Sequence, residues 1–458
     1  MRRKLLPWPL LLVLGCGHAD LVPSCIEQHI ADVAHVRTDP LLAPCAASAP
    51  VLLPDKPIDL GELWDLALVG NPELRGASAE VEAARGRLIQ AGLYPNPHIQ
   101  YRGEEIGLNE APKGNQSVEV TQEILTAGKR KLGREAAARG LDAAGVALLG
   151  RKFAVLTTIR RSYYDYLALA YTLEIDAEVI RSLERSLEGT RKLVEVAGTR
   201  PPTDLLRLRA LLEQARIAQA RTQTNLQAAW RELAAEVGEP ALPLPKVIAP
   251  LPATVPVWPE EAITHRVQSA QTVLRQAALT SEQLRLEYEE ARAEAVPNII
   301  VGAGYIRAFV DQGAGANLSL ETAIPLWDRK QGLIRERRAR WAQAQAEERA
   351  VRTRLARDTA EAFGRYRGTR EQAERLTREV LPVLEKTVKD LRQGYEAGAK
   401  DVTFADVQLA IEAVNDARLR LAEVKRELWR SVADLEGLMQ LDLGEELDPG
   451  CIPAGASP

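Results

Sequence analysis

Past Pro95 the chain stops repeating its apolar residues every three or four positions and begins to alternate them. Ile99 and Tyr101 alternate with His98, Gln100 and Arg102; further on, Val118, Val120, Gln122 and Ile124 alternate with Ser117, Glu119, Thr121 and Glu123. A period of two is the mark of a strand with one apolar face. About two hundred residues later the pattern returns. Ile299, Val301, Ala303 and Tyr305 oppose Asn298, Ile300, Gly302 and Gly304, and Leu318, Leu320, Thr322 and Ile324 oppose Asn317, Ser319 and Glu321. The polar, Gly-rich stretches GLNEAPKGNQ and VDQGAGA join each pair as hairpin connections. Each strand has roughly the 9 to 11 residues that a tilted membrane strand needs. The polar positions His98, Gln100, Arg102, Glu119 and Glu321 then share a wet face and are candidates for a water-filled lumen.

On either side of the strands the period is helical. The stretches ending in Tyr94-Pro95-Asn96 and Val296-Pro297-Asn298 are stopped by proline, which lacks a donor and pushes the preceding residue to extended geometry. From about Gly128 to Ala197, and from about Arg329 to Ala397, roughly 70 residues run without proline except Pro382; such helices span on the order of 100 Å at ~1.5 Å per residue. Each is followed by a turn, AGTRPPTD or AGAKDVTFAD, in which Gly198 and Gly398 suit a left-handed helix stop and Thr203 and Thr403 suit the next N-cap.

The chain is therefore two copies of one unit. VEVAGTRPPTDLLRLRALLEQA at Val194 is answered by GYEAGAKDVTFADVQLAIEAV at Gly394, and TAGKRKLGRE at Thr126 by LWDRKQGLIRER at Leu326. The predicted division is a signal segment at 1–16, an N-terminal extension at 17–57, a first repeat at 58–238 with strands about 97–124, a Pro-rich linker at 239–259, a second repeat at 260–443 with strands about 298–324, and a tail at 444–458.

Composition narrows the class. Four Phe against ten Tyr and seven Trp, with Ala, Leu, Arg and Glu dominant, suit long helices. A formal net charge of -4 with Arg and Glu interleaved leaves no nucleic-acid footprint. The N-terminus reads as a secretory address, MRRK followed by an apolar run from Leu5 to Leu14, and no later stretch approaches the ~20 apolar residues of a membrane helix. VLGC at Val13 to Cys16 resembles a lipobox with Cys16 as the acylated residue; cleavage after Gly17-His18-Ala19 is the other reading. Cys25, Cys45 and Cys451 remain, an odd number in a disulfide-permissive compartment, and His18, His29 and His35 lie in a Pro/Ala-rich tail. No Ser/His/Asp spacing, P-loop or paired CxxC is present, and GAG at Gly302 lacks the rest of a dinucleotide fingerprint, so the sequence predicts neither an enzyme nor a cofactor.

Four strands cannot close a barrel, and open edges are not tolerated in lipid, so the missing partners must come from other copies; three chains supply twelve strands, an even number. At this point the chain resembles the TolC-type outer-membrane efflux family. NPELRGASAEVEAARGRLIQAGLYPNPHIQ and QEILTAGKRKLGREA look most like its cobalt-zinc-cadmium branch, and the likeness runs from about Ile58 to Leu443. The resemblance implies a mainly α fold with a membrane β-barrel: a homotrimeric twelve-stranded barrel in outer-membrane lipid, continuous with a long periplasmic α-barrel. It implies a duct that serves an inner-membrane pump through a periplasmic adaptor. It also implies that the two turns form the periplasmic tip, where Asp204 follows Thr203 as in the family motif and either Asp401 or Asp406 lines the entrance, with Arg200 and Lys400 as local partners. A protein-secretion duct of the same build and a periplasmic coiled-coil rod are the alternatives; a rod would lack alternating strands. Cargo is not legible, although two Met argue against a methionine relay for Cu(I).

Overall fold

The computed structural model describes residues 57–443, apart from 105, 108–112, 197–200, 310–312 and 398–400. Its first half runs α1 (Leu60–Gly70), α2 (Pro72–Gly92), β1 (His98–Glu104), β2 (Asn115–Ile124), α3 (Lys129–Arg191) and α4 (Pro202–Val237). The second half repeats that order as α5 (Glu260–Ala270), α6 (Thr272–Ala293), β3 (Ile299–Ala308), β4 (Ala314–Thr322), α7 (Gln331–Arg375), α8 (Leu381–Glu396) and α9 (Phe404–Met439). The counterparts match in length: α1 and α5 have 11 residues each, and α4 and α9 have 36 each.

Two features of the rods are not announced by the apolar periodicity. α3, 63 residues long, passes into a π-helical turn at Lys192–Val196. Its counterpart is divided by a π-helical turn, Leu376–Val380, between α7 and α8. Pro382 stands in the first turn of α8. The wide turn ahead of it absorbs the lost donor and the ring clash that would otherwise break the helix.

Each half closes on itself by the same device. Asn71 separates α1 from α2; its Oδ1 accepts the N–H groups of Glu73 (2.9 Å) and Leu74 (3.3 Å), and its Nδ2 donates to the Glu236 carbonyl (2.7 Å) in the last turn of α4. Gln271 separates α5 from α6 and gives its amide to the Leu438 carbonyl in the last turn of α9. Carbonyls at a helix C-terminus have no partner within the helix, so these amides satisfy groups that burial would strand. Each return helix then stops in a left-handed residue, Gly238 (φ 94°) and Gln440 (φ 53°). A Cβ at Gly238 would lie 2.8 Å from the Gly70 carbonyl, so glycine is required there. Gln440 is instead held by side-chain bonds, its Nε2 donating to Thr272 Oγ1 (2.8 Å) and its Oε1 accepting the Thr272 N–H (3.0 Å).

The Pro-rich segment at 239–259 is more than a spacer. Leu242 is buried in the first core, where Trp230 packs at 5.1 Å from Tyr166 and donates Nε1 to the Leu242 carbonyl (3.2 Å). Val255 and Trp258 pack on the second core, and the Tyr366 hydroxyl donates to the Pro256 carbonyl (2.5 Å). The segment is a strap across both halves.

All four strands form one antiparallel sheet in the order β1-β2-β3-β4. At its base the second Pro-Asn pair is a hydrogen-bonding hub. Asn298 Oδ1 accepts from Lys129 Nζ (2.5 Å) and the Thr126 N–H (3.3 Å), its Nδ2 donates to Glu123 (2.7 Å), and Thr126 Oγ1 donates to the Pro297 carbonyl (2.6 Å). Lys129, though buried, also reaches the Val296 carbonyl (2.6 Å). Proline thus ends one helix where asparagine ties the emerging strand to the start of the next.

Replacing Asn71 with Ala removes both the α2 cap and the α4 carbonyl's partner, a loss of about 2 kcal/mol from a cap worth ~1 and a hydrogen bond worth ~1. Asn71→Asp keeps the cap acceptor and should lose about half of that. Denaturant unfolding followed by Trp fluorescence measures both; an Asn71→Ala protein as stable as wild type would refute this account of the joint.

Candidate functional site

In an antiparallel ladder, directly opposed residues share a face. The rows Ile99, Val120, Ala303, Leu318 and Tyr101, Val118, Tyr305, Ala316 therefore lie on one side, with Val301 and Leu320 beside them. This side is apolar and open: Leu318 is 83% exposed and Leu320 75%. The other side carries the rows His98, Thr121, Gly302, Ser319 and Gln100, Glu119, Gly304, Asn317, together with Arg102 and Glu321. His98, Gln100, Arg102, Glu119 and Glu321 thus stand on a single face of a single sheet. Gly302 and Gly304 keep the middle of that face low. Over them Glu119, on β2, accepts a hydrogen bond from Ser319 on β4, two strands away. A Cβ at Gly304 would meet the Val118 carbonyl at 2.6 Å. The GAG motif is therefore a place where strands and a reaching carboxylate come close.

Sequence spacing pairs Thr203 with Thr403 across the two turns; the structure corrects this. Helices α4 and α9 begin 202 residues apart, at Pro202 and Phe404, so Thr403 answers Pro201 and Asp406 answers Asp204. Thr403 caps α9 in a reciprocal box: its hydroxyl accepts the Asp406 N–H (3.3 Å), and Asp406 accepts the Thr403 N–H (2.8 Å). Thr203 lies inside α4, which has no side-chain cap because Pro201 and Pro202 set the entry. Proline at the first helical position needs no acceptor. The Thr403 hydroxyl and N–H hold the Asp406 carboxyl below the usual carboxylate range. The capping contribution is thus present above that range and is lost as pH falls through the lowered value. Asp204 is buried in the first turn of α4, where the helix dipole favours a negative charge. Asp401 is exposed in the turn ahead of Thr403. Gly198, Arg200, Gly398, Lys400 and Cys16 lie outside the described residues.

A third feature is invisible to local reading. Asp165 on α3 accepts from Arg426 (Nε, 2.9 Å) and Arg430 (Nε, 2.7 Å) on α9. Asp434 receives Arg161 of α3 and Arg365 of α7 (3.5 Å), and buried Arg160 faces Glu436 at 3.5 Å. Burial pushes the Glu436 carboxyl up, with Arg160 opposing it. These ions tie α9 to both rods. The only local signal was Arg at 426 and 430, one turn apart, which on its own reads as solvated helix surface.

Among the described residues no group of three or more His, Cys, Asp or Glu is placed to hold a metal ion, and no helix is long and apolar enough to cross a membrane.

The chain is similar to the cobalt-zinc-cadmium resistance protein CzcC of Cupriavidus metallidurans, 23% identical over 384 residues that cover 84% of this chain and 90% of that protein. Its fold is shared by CusC, whose crystal structures concern transmembrane channel formation (TM-score 0.69, 19% identity, 83% of this chain and 91% of that one). It is shared also by the outer membrane protein VceC of Vibrio cholerae (TM-score 0.70, 16% identity, 83% and 95%). The family model described as outer membrane efflux protein matches residues 63–239 and 264–439, one match for each structural repeat, and this chain belongs to that family.

Proposed function

We propose that this protein is the exit duct of a tripartite efflux system: three copies close a twelve-stranded barrel in the outer membrane, an inner-membrane pump loads it through a periplasmic adaptor, and its cargo is heavy-metal cations. The observation that carries the reading is the sheet, mostly apolar and exposed on one face, mostly polar on the other, where Ile300 and Ile306 are the exceptions, and open at both edges. Such a surface is stable in lipid only when its edges are paired. The α3 rod of 63 residues, about 95 Å at ~1.5 Å per residue, has the reach to cross a periplasmic space. The metal assignment rests on the likeness to a protein named for cobalt-zinc-cadmium resistance. In this reading residues 1–16 direct export with Cys16 as the acylated residue, 58–238 and 260–443 are the two repeats, and His98, Gln100, Arg102, Glu119 and Glu321 line the lumen. Conduction needs no resident metal or cofactor in the duct, only a wet path and an entrance that opens.

In this reading Asp406 or Asp401 carries the negative charge that lines that entrance, Asp204 is the buried equivalent of Asp406 in the first repeat, and Arg200 and Lys400 are the counter-charges. Three like charges around one axis repel one another and attract cations, so the closed end is held by few contacts. Planar-bilayer recordings of the combined Asp204→Ala, Asp401→Ala, Asp406→Ala protein should show higher conductance and weaker block by divalent cations. Wild-type conductance would leave these residues as helix caps alone.

Arg at Val118, Val120, Leu318 or Leu320 should cost ~2 to 4 kcal/mol near the bilayer midplane and deplete the protein from the outer membrane, whereas Arg at Glu119 or Glu321 should assemble normally. Equal tolerance at both sets would contradict the lipid-facing assignment. A deletion strain should become sensitive to zinc, cadmium and cobalt salts and recover with the intact chain; unchanged metal tolerance would rule out the cargo while leaving the duct.

A further inference from the structure

The apolar core shared by the two tip hairpins, α3 with α4 and α8 with α9, is not filled. It contains a cavity of about 270 Å³. All four helices supply its walls: Leu183 and Ser186 of α3, Leu208 of α4, Tyr395 of α8, and Phe404 and Ile411 of α9, each of them buried. The lining residues that reach the surface are Arg185, Gly189 and Lys192, at the end of α3 and the start of the π-helical turn that follows it, and they mark the mouth. Protein interiors pack to the density of organic crystals, so a void of this size is a departure that calls for an occupant. The sequence shows how it arises. At the spacing of 202 residues that relates the starts of α4 and α9, the lining residues Ser186, Gly189 and Thr190 correspond to Val388, Leu391 and Arg392. Three small residues stand on the first hairpin where the second carries two aliphatic side chains and an arginine.

The charges around the cavity are of one sign. Arg185, Lys192 and Arg392 line it, and no carboxylate does. Arg185 donates to the Arg181 carbonyl (3.3 Å), Lys192 stands 3.7 Å from Glu188 on the exposed surface, and Arg392 crosses from the second hairpin to donate to Ser186 Oγ (2.6 Å). An apolar chamber with a cationic rim selects an apolar body that carries a negative charge. Volume narrows the body: a dry cavity of ~150 Å³ takes one benzene ring, so about 270 Å³ has room for two fused rings.

We infer that this cavity binds a small aromatic anion, two fused rings carrying one carboxylate, and that the ligand fastens the two tip hairpins to each other. The rings lie against Leu183, Leu208, Phe404 and Ile411, and the carboxylate sits at the mouth beside Arg185 and Arg392. One molecule then covers apolar walls on both hairpins, so separating the hairpins exposes it to water, and occupancy favours the arrangement in which they meet. The binding is independent of the duct proposed above; only its consequence for conduction, an entrance held in one state, rests on that reading.

The probe is 2-naphthoate, titrated by calorimetry into the full-length protein in detergent micelles, with protein-free micelles subtracted. It should saturate at one molecule per chain, and 2-naphthamide, which keeps the rings and lacks the charge, should bind at least tenfold more weakly. Val407→Phe, which enlarges a buried wall residue of α9, should lower the affinity for 2-naphthoate at least tenfold. Hydrogen exchange of the unsubstituted protein locates the ligand without any variant: saturating 2-naphthoate should slow exchange severalfold in both 183–192 and 404–411, and this decides the matter if Val407→Phe does not assemble. No saturable binding, equal affinity for the amide, protection of one hairpin alone, or wild-type affinity in a folded Val407→Phe protein would overturn the site, whether or not the protein conducts. Planar-bilayer recording reads the duct separately: a protein that binds 2-naphthoate in this way and forms no channel keeps the site and loses the duct.

Discussion

Hydrogen bonding of the backbone in a medium without water is the constraint on which this structure depends. A strand in lipid must pair on both sides, because each stranded N–H or C=O group costs several kcal/mol there. The sheet satisfies its inner strands and leaves β1 and β4 with one unpaired edge each. No rearrangement of four strands within one chain removes those edges at membrane dimensions. In the duct proposed above the requirement is met by repetition: further copies of the chain supply the partners that β1 and β4 lack.

The same constraint explains the junctions. Where strand gives way to helix the backbone leaves one pattern of pairing for another, and the groups in transit must find side-chain partners. Asn298 collects a cation, a backbone N–H and a carboxylate at that point, and Lys129 spends two of its protons on the Val296 carbonyl and the Asn298 side chain. At the opposite ends of the short helices, Asn71 and Gln271 serve the C-terminal carbonyls of α4 and α9. Both places solve the same problem with an amide, which can donate and accept at once.

Duplication has not made the halves equivalent. One rod is continuous through its wide turn and the other is divided before Pro382; one tip helix opens on two prolines and the other on a threonine-aspartate box. α9 alone gathers the buried and half-buried ions from Asp165 to Glu436. Buried ion pairs contribute little net stability but penalise a misplaced partner strongly. Their position between α9 and both rods suits the fixing of one alignment.

Local pattern determined the kinds of element and the polarity of their faces. Alternation over Val118 to Ile124 and Leu318 to Ile324, and proline at 95 and 297, are statements about neighbouring residues and survive any tertiary arrangement. The five polar strand positions were legible for that reason, as was the duplication, which needs only comparison of the chain with itself. Tertiary structure decided whatever depends on residues far apart in sequence: the order of four strands in one sheet, the tie from Thr126 to Pro297, the clamp on Asp165 by arginines about 260 residues away, and the service of 239–259 as a strap. It also decided the offset of 202 that makes Asp406 the counterpart of Asp204, because helix starts are set by backbone hydrogen bonding and two residues are gained before the second tip. Periodicity reports which way a side chain faces along its own element; only packing decides what it meets there.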